Sequence, residues 1–374
     1  MGESIWECFH FVRDPRVERT RSHELYDIIV IAVCAVICGA DHWTEMEDFG
    51  NSNIKWLKSF LDLPNGIPSH DTFGCVFAAL DPDEFEKAFQ MWVGVVAETP
   101  IGKHYAVDGK TLRRSFDAAG GKAAIHMVSA WVYENSACFG QVKVDGKSNE
   151  ITAIPKLLDK LCLKGATVTI DAMGCQREIS RQITEKDGDY VICLKGNQPA
   201  LHGDVSLYLD DAIERVADGL DTYMTIDKGH GRVEQRTTWA TTDIEWLQAR
   251  HQWPGLKSIA AIDSRVERNG KTTTERRYFI SSRVGEVAQV IGVLARQHWA
   301  VENNLHWTLD VAFDEDDSRV RSGNAAENFS RVRRLALMLL KREKSCKLGV
   351  KSKRRKAGWD RDYLLKVLLG DKMR

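Results

Sequence analysis

The chain holds 374 residues, 43% apolar and 28% charged, with 52 basic against 53 acidic side chains and a formal charge of −1. These are globular fractions, so disorder, collagen and coiled coil are excluded for the chain as a whole, and the length allows two to three domains. The balanced charge excludes a uniformly basic nucleic-acid wrapper but leaves room for a local basic patch.

Residues 1–100 read as helical. An apolar helix is expected over 24–40; its longest apolar run, 28–40, is 13 residues, short of the ~20 that span a bilayer. An amphipathic helix is expected over 43–61. The next is capped by Ser69 or Asp71 and runs to Leu80, and Asp81-Pro82 opens a fourth over 83–98. Thr99-Pro100-Ile101-Gly102 is a break. The pattern then changes to strands over 104–107, 125–133 and 137–144, a helix over 149–161, a strand over 166–170, a helix over 175–186 and a strand over 190–194. This β-β-β-α-β-α-β succession implies a mixed sheet with helical crossovers. From about 200 to 283 the chain reads as strand-rich, with a strong hairpin signal at Asn269-Gly270. One long helix over 286–311 and another over 326–344 follow, then a basic stretch.

Nine cysteines without a C-x-x-C pair imply reduced, mostly buried thiols and a reducing cytoplasm. The start, MGESIWECFH, shows no secretory signal, and Trp6 spoils a myristoylation match. A soluble cytoplasmic protein, nucleoid-associated when bound to DNA, is expected.

Asp108 and Asp171 each follow a short apolar strand, and ligands of α/β sheets bind beyond the carboxyl ends of strands. Either Asp alone could be a turn former; together they could share a divalent cation. Glu302 is the third candidate, flanked by Trp299, Leu305 and Trp307.

Asp108-Gly109-Lys110, Thr169-Ile170-Asp171-Ala172-Met173 and the segment from His298-Trp299 through Glu302-Asn303 to His306-Trp307 together resemble the insertion-sequence DDE transposases, in the H-repeat-associated branch. Further matches are the stretch from Lys147-Ser148-Asn149-Glu150 to Pro155, Lys195-Gly196-Asn197-Gln198, the stretch from His230-Gly231-Arg232 through Glu234 to Arg236, and Asn324-Ala325-Ala326-Glu327. The resemblance covers roughly residues 10–370. It implies an α/β fold: an RNase H-like mixed-sheet catalytic core with a β-rich insertion, preceded by an all-α N-terminal domain and followed by a basic helical C-terminus. The expected divisions are 1–100 (DNA binding or pairing), 101–199 (core), 200–284 (insertion), 285–325 (the helix carrying the Glu) and 326–374.

The resemblance further implies that Asp108, Asp171 and Glu302 are catalytic and bind Mg2+, with Mn2+ able to substitute. Two metal ions would serve cleavage that frees a 3′-hydroxyl at an element end, and then attack of that hydroxyl on target DNA. The partners implied are double-stranded DNA, both terminal inverted repeats and target, and a second copy of the chain; no membrane is implied. One departure stands out: the superfamily's Tyr and Arg before the Glu and Lys after it are replaced by Ala295, His298 and Leu309.

Candidates for DNA contact are Lys110, Lys195, Asn197, Gln198, His230, Arg232, Arg296, His298, Arg354 and Arg355. For Lys110 and Lys195 a merely solvated Lys is equally open. His298, Glu302 and His306 share a helical face but lack H-E-x-x-H spacing, so core or DNA-facing histidines are expected rather than a zinc site. Asp314-Glu315-Asp316-Asp317 reads as a solvated loop. Residues 331–356 hold 12 Lys/Arg and one acidic residue, and a DNA-backbone contact is expected there. Of the 11 Trp, Trp131, Trp299 and Trp307 lie near motifs, with core packing the default. A metal-dependent nuclease without strand transfer and a non-catalytic DNA-binding remnant are the alternatives.

Overall fold

A computed structural model describes residues 7–96, 103–116, 121, 123–133, 136–144, 149–229 and 231–370. The first six residues of the start read for targeting signals, the break at 99–102, Lys147, Ser148 and His230 lie outside the described residues.

Five helices come first: α1 (Leu25–Ile37), α2 (Trp43–Ser52), α3 (Ile54–Leu57), α4 (His70–Ala79) and α5 (Pro82–Val96). α1 is apolar on nearly every side and buried along its length except at Tyr26, as a helix inside a bundle must be. The Ser69 hydroxyl accepts the Thr72 N–H at the start of α4, and Asp81 accepts the N–H groups of Asp83 and Glu84 at the start of α5. Both caps satisfy donors a helix leaves open.

The sheet segment follows: β1 (His104–Leu112), β2 (Ile125–Val132), β3 (Ala137–Lys143), α6 (Glu150–Asp159), β4 (Thr167–Ile170), α7 (Arg177–Glu185) and β5 (Asp189–Leu194). Next come α8 (Pro199–Glu214), β6 (Asp221–Gly229), β7 (Arg232–Thr241), β8 (Ser258–Arg268) and β9 (Lys271–Ser281). One nine-stranded sheet results, in the order β3-β2-β1-β4-β5-β9-β8-β7-β6. β1, β4 and β5 are parallel; β2 and β3 form an antiparallel flank.

The region read as strand-rich departs from expectation in two ways. It opens with the 16-residue α8, whose Leu201, Val205, Leu209 and Ala212 recur at helical spacing and are buried. Its last strand pairs with the core: Val191 of β5 faces Ser281 of β9, so β6–β9 continue the same sheet. The Asn269-Gly270 turn forms with positive φ at both residues, +50° and +73°, the geometry a two-residue hairpin demands.

The helices α6, α7 and α8 cover one face of the sheet, with Leu157, Ile183 and Val205 packed among Val107, Val128 and Ile192. On the other face, α9 (Val287–Val301) lies over Val191 and Ala260. Helices α10 (Trp307–Phe313), α11 (Ala325–Arg342), α12 (Val350–Trp359) and α13 (Arg361–Leu369) join the N-terminal helices over Ala106 and Trp131.

Five of the twelve basic residues in 331–356 depart from expectation, while Lys344, Lys347 and Lys351 are exposed. Arg331, Arg333, Arg334, Lys353 and Arg354 are buried and face the interior, not a DNA surface. Arg331 pairs with Glu86 at 2.8 Å and Glu327 at 3.0 Å, and Arg334 with Glu315 at 3.0 Å. Arg333 lies over the Phe329 ring. Arg354 donates to the carbonyls of Val36, Ala40 and Ala312 and pairs with Asp41 at 2.9 Å. Apart from Glu327, one turn from Arg331, the neutralising carboxylates come from other segments of the chain, which a local charge count cannot register. Buried cations need such partners. Glu315 is accordingly buried, against the reading of 314–317 as a solvated loop. Arg355 stays exposed.

Candidate active site

Register on β1 and β4 brings the two aspartates together. Val107 and Ile170 are the last partners of the parallel ladder, so Asp108 and Asp171 are the next residue on each neighbouring strand. β1 does not end there, as the sequence suggested. It runs on to Leu112 paired with β2 alone, and Asp108 stands where the parallel pairing stops. Asp171 leaves β4 and caps a short 3-10 turn, accepting the N–H groups of Met173 and Gly174. Asp108 accepts the Gly109 N–H at 2.9 Å.

The helix expected over 286–311 is broken at the third acid. α9 ends at Val301, Glu302–His306 form a π-helical turn, and α10 continues. A π turn widens the helix by one residue, has no local sequence signature and is frequent at functional sites. Glu302 is its first residue and is exposed. Below it, α9 is tied to the sheet by a hydrogen-bonded chain: His298 Nδ1 to Thr169 Oγ1 at 2.9 Å, Thr169 to His104 Nε2 at 2.7 Å, and His104 Nδ1 to Gln297 at 3.0 Å. Burial lowers His104 to about 3 and His298 to about 4, so both are neutral struts. His298 thus has a sheet partner where the superfamily has a phosphate-contacting side chain; Ala295 and Leu309 are buried and apolar.

The acids repel one another. Burial first, then the charges of Asp171, Glu150 and Glu302, push Asp108 up to about 7 against the opposing Gly109 N–H. Burial and then Glu150 raise Asp171, opposed by its two N–H donors and Lys195. His306 Nδ1 lies 3.5 Å from Asp108, its Nε2 is buried without a hydrogen-bond partner among the described residues, and burial lowers it to about 3.

Lys110 is buried, its ammonium held by Asp310 at 2.6 Å and Asp316 at 2.8 Å. It therefore braces the loop after α10 instead of extending into solvent as a DNA contact would. Asn197 and Gln198 donate to the carbonyls of Ala172 and Cys175 and so pin the turn that Asp171 caps. Lys195 is exposed beside Asp171. Arg232 and Arg296 line a cleft of about 410 Å³ between β6–β7 and α9, together with Arg236, Tyr223, Trp299 and Asn303. Arg296 pairs with Asp227 at 2.9 Å. Trp131 is core, whereas Trp299 and Trp307 are 45% and 60% exposed on either side of Glu302. The Arg277 guanidinium lies 4.3 Å from the Trp299 ring centroid.

Sequence reasoning passed over Glu150, His126 and Arg277 as site residues, and read His306 only as a core or DNA-facing histidine. Glu150 lay within a quoted motif, directly behind a helix cap, and that position was its one available signal.

Among the described residues no three His, Cys, Asp or Glu side chains form a ready-made metal cage. The donor set nevertheless suits a hard cation: carboxylate oxygens gathered close enough to raise one another's affinity for a proton. Magnesium uses one or two carboxylates with water and substrate phosphate, not a full protein cage.

The family described as Transposase DDE domain matches residues 100–339, and the one described as DDE_Tnp_1-associated matches residues 6–93. The protein named "Putative transposase YncI" of Escherichia coli O157:H7 is 41% identical over 370 residues, covering 98% of this chain and 94% of that one. The "H repeat-associated putative transposase YhhI" of Escherichia coli strain K12 is 39% identical over 377 residues, covering 98% of each. Among solved structures, the piggyBac transposase synaptic complex with hairpin DNA aligns with 99% of this chain and 82% of its own at 11% identity and a TM-score of 0.45.

Proposed function

The chain belongs to the DDE transposase family, and from that premise we propose that it cuts DNA at the ends of an insertion sequence and joins the freed 3′-hydroxyl to target DNA. The observation that carries this reading is the pairing of Asp108 and Asp171 one residue beyond the last rung of two parallel strands, with Glu302 on the helix that crosses that sheet. The β-β-β-α-β-α-β succession around them supports an RNase H-like core.

Asp108, Asp171 and Glu302 would hold magnesium, or manganese in its place. The bound cation would polarise the phosphoryl oxygens and stabilise the charge that develops on them. The chain's own groups do the rest. Asp108, a carboxyl raised to about 7, is held near its ionisation point at neutral pH and would meet a cation as the carboxylate. The caps on Asp171 hold its carboxylate in one orientation. Lys195, exposed beside Asp171, offers charge to a phosphate. Trp299, exposed beside Glu302, offers an aromatic face on which an unpaired base can stack. The cleft bearing Arg232, Arg236 and Arg296 supports a path for the backbone. Two copies of the chain would bring the two element ends together.

Among the described residues no helix is long and apolar enough to cross a membrane.

The test is cleavage of a duplex carrying the element's terminal repeat. With Mg2+ the native chain is expected to nick it and leave a 3′-hydroxyl; Asp108→Asn is expected to bind the duplex without cutting. Binding without cutting by the native chain would instead favour a non-catalytic remnant, and cutting indifferent to the repeat would favour a nuclease.

A further inference from the structure

A fourth carboxylate stands beside the two aspartates. Glu150 opens α6 directly behind its cap Asn149, and its side chain is only 14% exposed. His126 Nε2 lies 2.6 Å from its Oε1. An ionised carboxylate can only accept, so Nε2 donates, and in the neutral imidazole Nδ1 is left to accept from the Thr111 hydroxyl at 2.8 Å. The Thr111–His126–Glu150 chain therefore sets both the tautomer of the imidazole and the aim of the carboxylate.

Gly109 makes room for this pair. A Cβ at that position would stand 2.2 Å from Glu150 Oε1 and 2.4 Å from His126 Nε2. The carboxylate thus fills the space of an absent side chain, against the residue that follows Asp108. Side chains alternate along a strand, so Glu150 comes in from the α6 side while Asp108 points toward His306 and α9. Beyond Ile170 the parallel ladder has ended, so β4 no longer closes the sheet beside Asp108 and Gly109. The charges register this proximity: Glu150 is the largest charged contributor to the raised Asp171 and acts on Asp108 as well.

We propose that Glu150 is a fourth carboxylate of the divalent-cation site, with His126 as its positioning residue. The proposal rests on the reading of Asp108 and Asp171 as that site. Carboxylate oxygens suit magnesium and manganese, and four ionised carboxylates balance two divalent cations where three leave excess positive charge. Outer hydrogen-bond partners such as His126 orient a ligand, and their loss costs roughly 10–100-fold in metal affinity.

The experiment measures Mn2+ binding to the full-length, chelator-treated protein by electron paramagnetic resonance, without DNA, alongside metal-free thermal melting. Glu150→Gln is expected to weaken Mn2+ binding at least about tenfold while the metal-free protein still melts cooperatively. His126→Ala is expected to weaken it about tenfold, and His126→Gln, which keeps a donor, to recover part of the loss. Asp108→Asn is expected to abolish binding. Native Mn2+ affinity in Glu150→Gln, with binding lost in Asp108→Asn, overturns the role of Glu150 and leaves the aspartate site standing. Undiminished binding in Asp108→Asn, or none by the native chain, overturns both. If Glu150→Gln fails to fold, Glu150→Asp, which keeps the charge on a shorter arm, must show a lesser loss, and native affinity in that variant overturns the proposal.

Discussion

Replacing Asp108 by Asn should stabilise the metal-free protein, and only at high pH. In the fold, burial and the neighbouring acids raise this carboxyl from an ordinary 3.8 to about 7. At about 1.4 kcal/mol per unit the shift corresponds to roughly 4 kcal/mol as a ceiling. The side chain is 29% exposed, and solvent screening should leave about 2 kcal/mol. The sign follows from proton binding. Between about pH 4 and pH 7 the folded form keeps a proton the unfolded chain has released, so native stability falls as pH rises through that window. Above pH 7 the whole penalty is present. Asn never ionises and escapes it. With chelator present, native and Asp108→Asn proteins should melt together at pH 4, and the variant should melt about 3 °C higher at pH 8. Saturating Mg2+ should reverse the order, since a ligand at a hundred times its Kd stabilises the native chain by about 2.7 kcal/mol and the variant not at all. A melting difference independent of pH, or a variant less stable than native at pH 8 without metal, would refute the electrostatic account.

Other substitutions probe separate parts of the structure. Gly109→Ala should displace Glu150 and His126 from the space they occupy and weaken Mn2+ binding about tenfold; far-UV circular dichroism should stay native. Glu315→Gln leaves the buried Arg334 without its counter-charge and should cost about 3 kcal/mol in urea unfolding; a loss under 1 kcal/mol would mean that water reaches the pair. Arg354→Ala, which empties a buried site bonded to Asp41 and three carbonyls, should lower stability and leave the salt slope of DNA binding unchanged. Arg355→Ala, at an exposed neighbour, should leave stability unchanged and reduce that slope by about one.

Local signals carried much of the fold. Alternating or β-branched runs marked all five strands of the first sheet segment, and Asn269-Gly270 marked the β8–β9 hairpin, because strand period and turn chemistry are written in adjacent residues. The adjacency of Asp108 and Asp171 was also legible, since both follow short apolar runs that proved to be parallel neighbours. What stayed hidden depends on residues far apart in the chain. The π turn at Glu302 lies inside an uninterrupted helical pattern. The arginines of α11 look like a solvated basic block until Glu86 and Glu315 are brought to them by packing. Lys110 reads as a surface cation until Asp310 and Asp316, some 200 positions away, close over it. Glu150 reads as a helix-start acid until the missing side chain of Gly109 gives its carboxylate room against β1.

The central claim is joining of DNA strands at the Asp108–Asp171–Glu302 centre. It is tested most directly by incubating the native protein with a labelled, pre-cleaved terminal-repeat end, a target duplex and Mg2+, then resolving the products on a denaturing gel. The account predicts labelled strands lengthened by covalent joining to target, absent with Asp108→Asn and absent with chelator. No joined product from the native chain, or joining undiminished in Asp108→Asn, would contradict it.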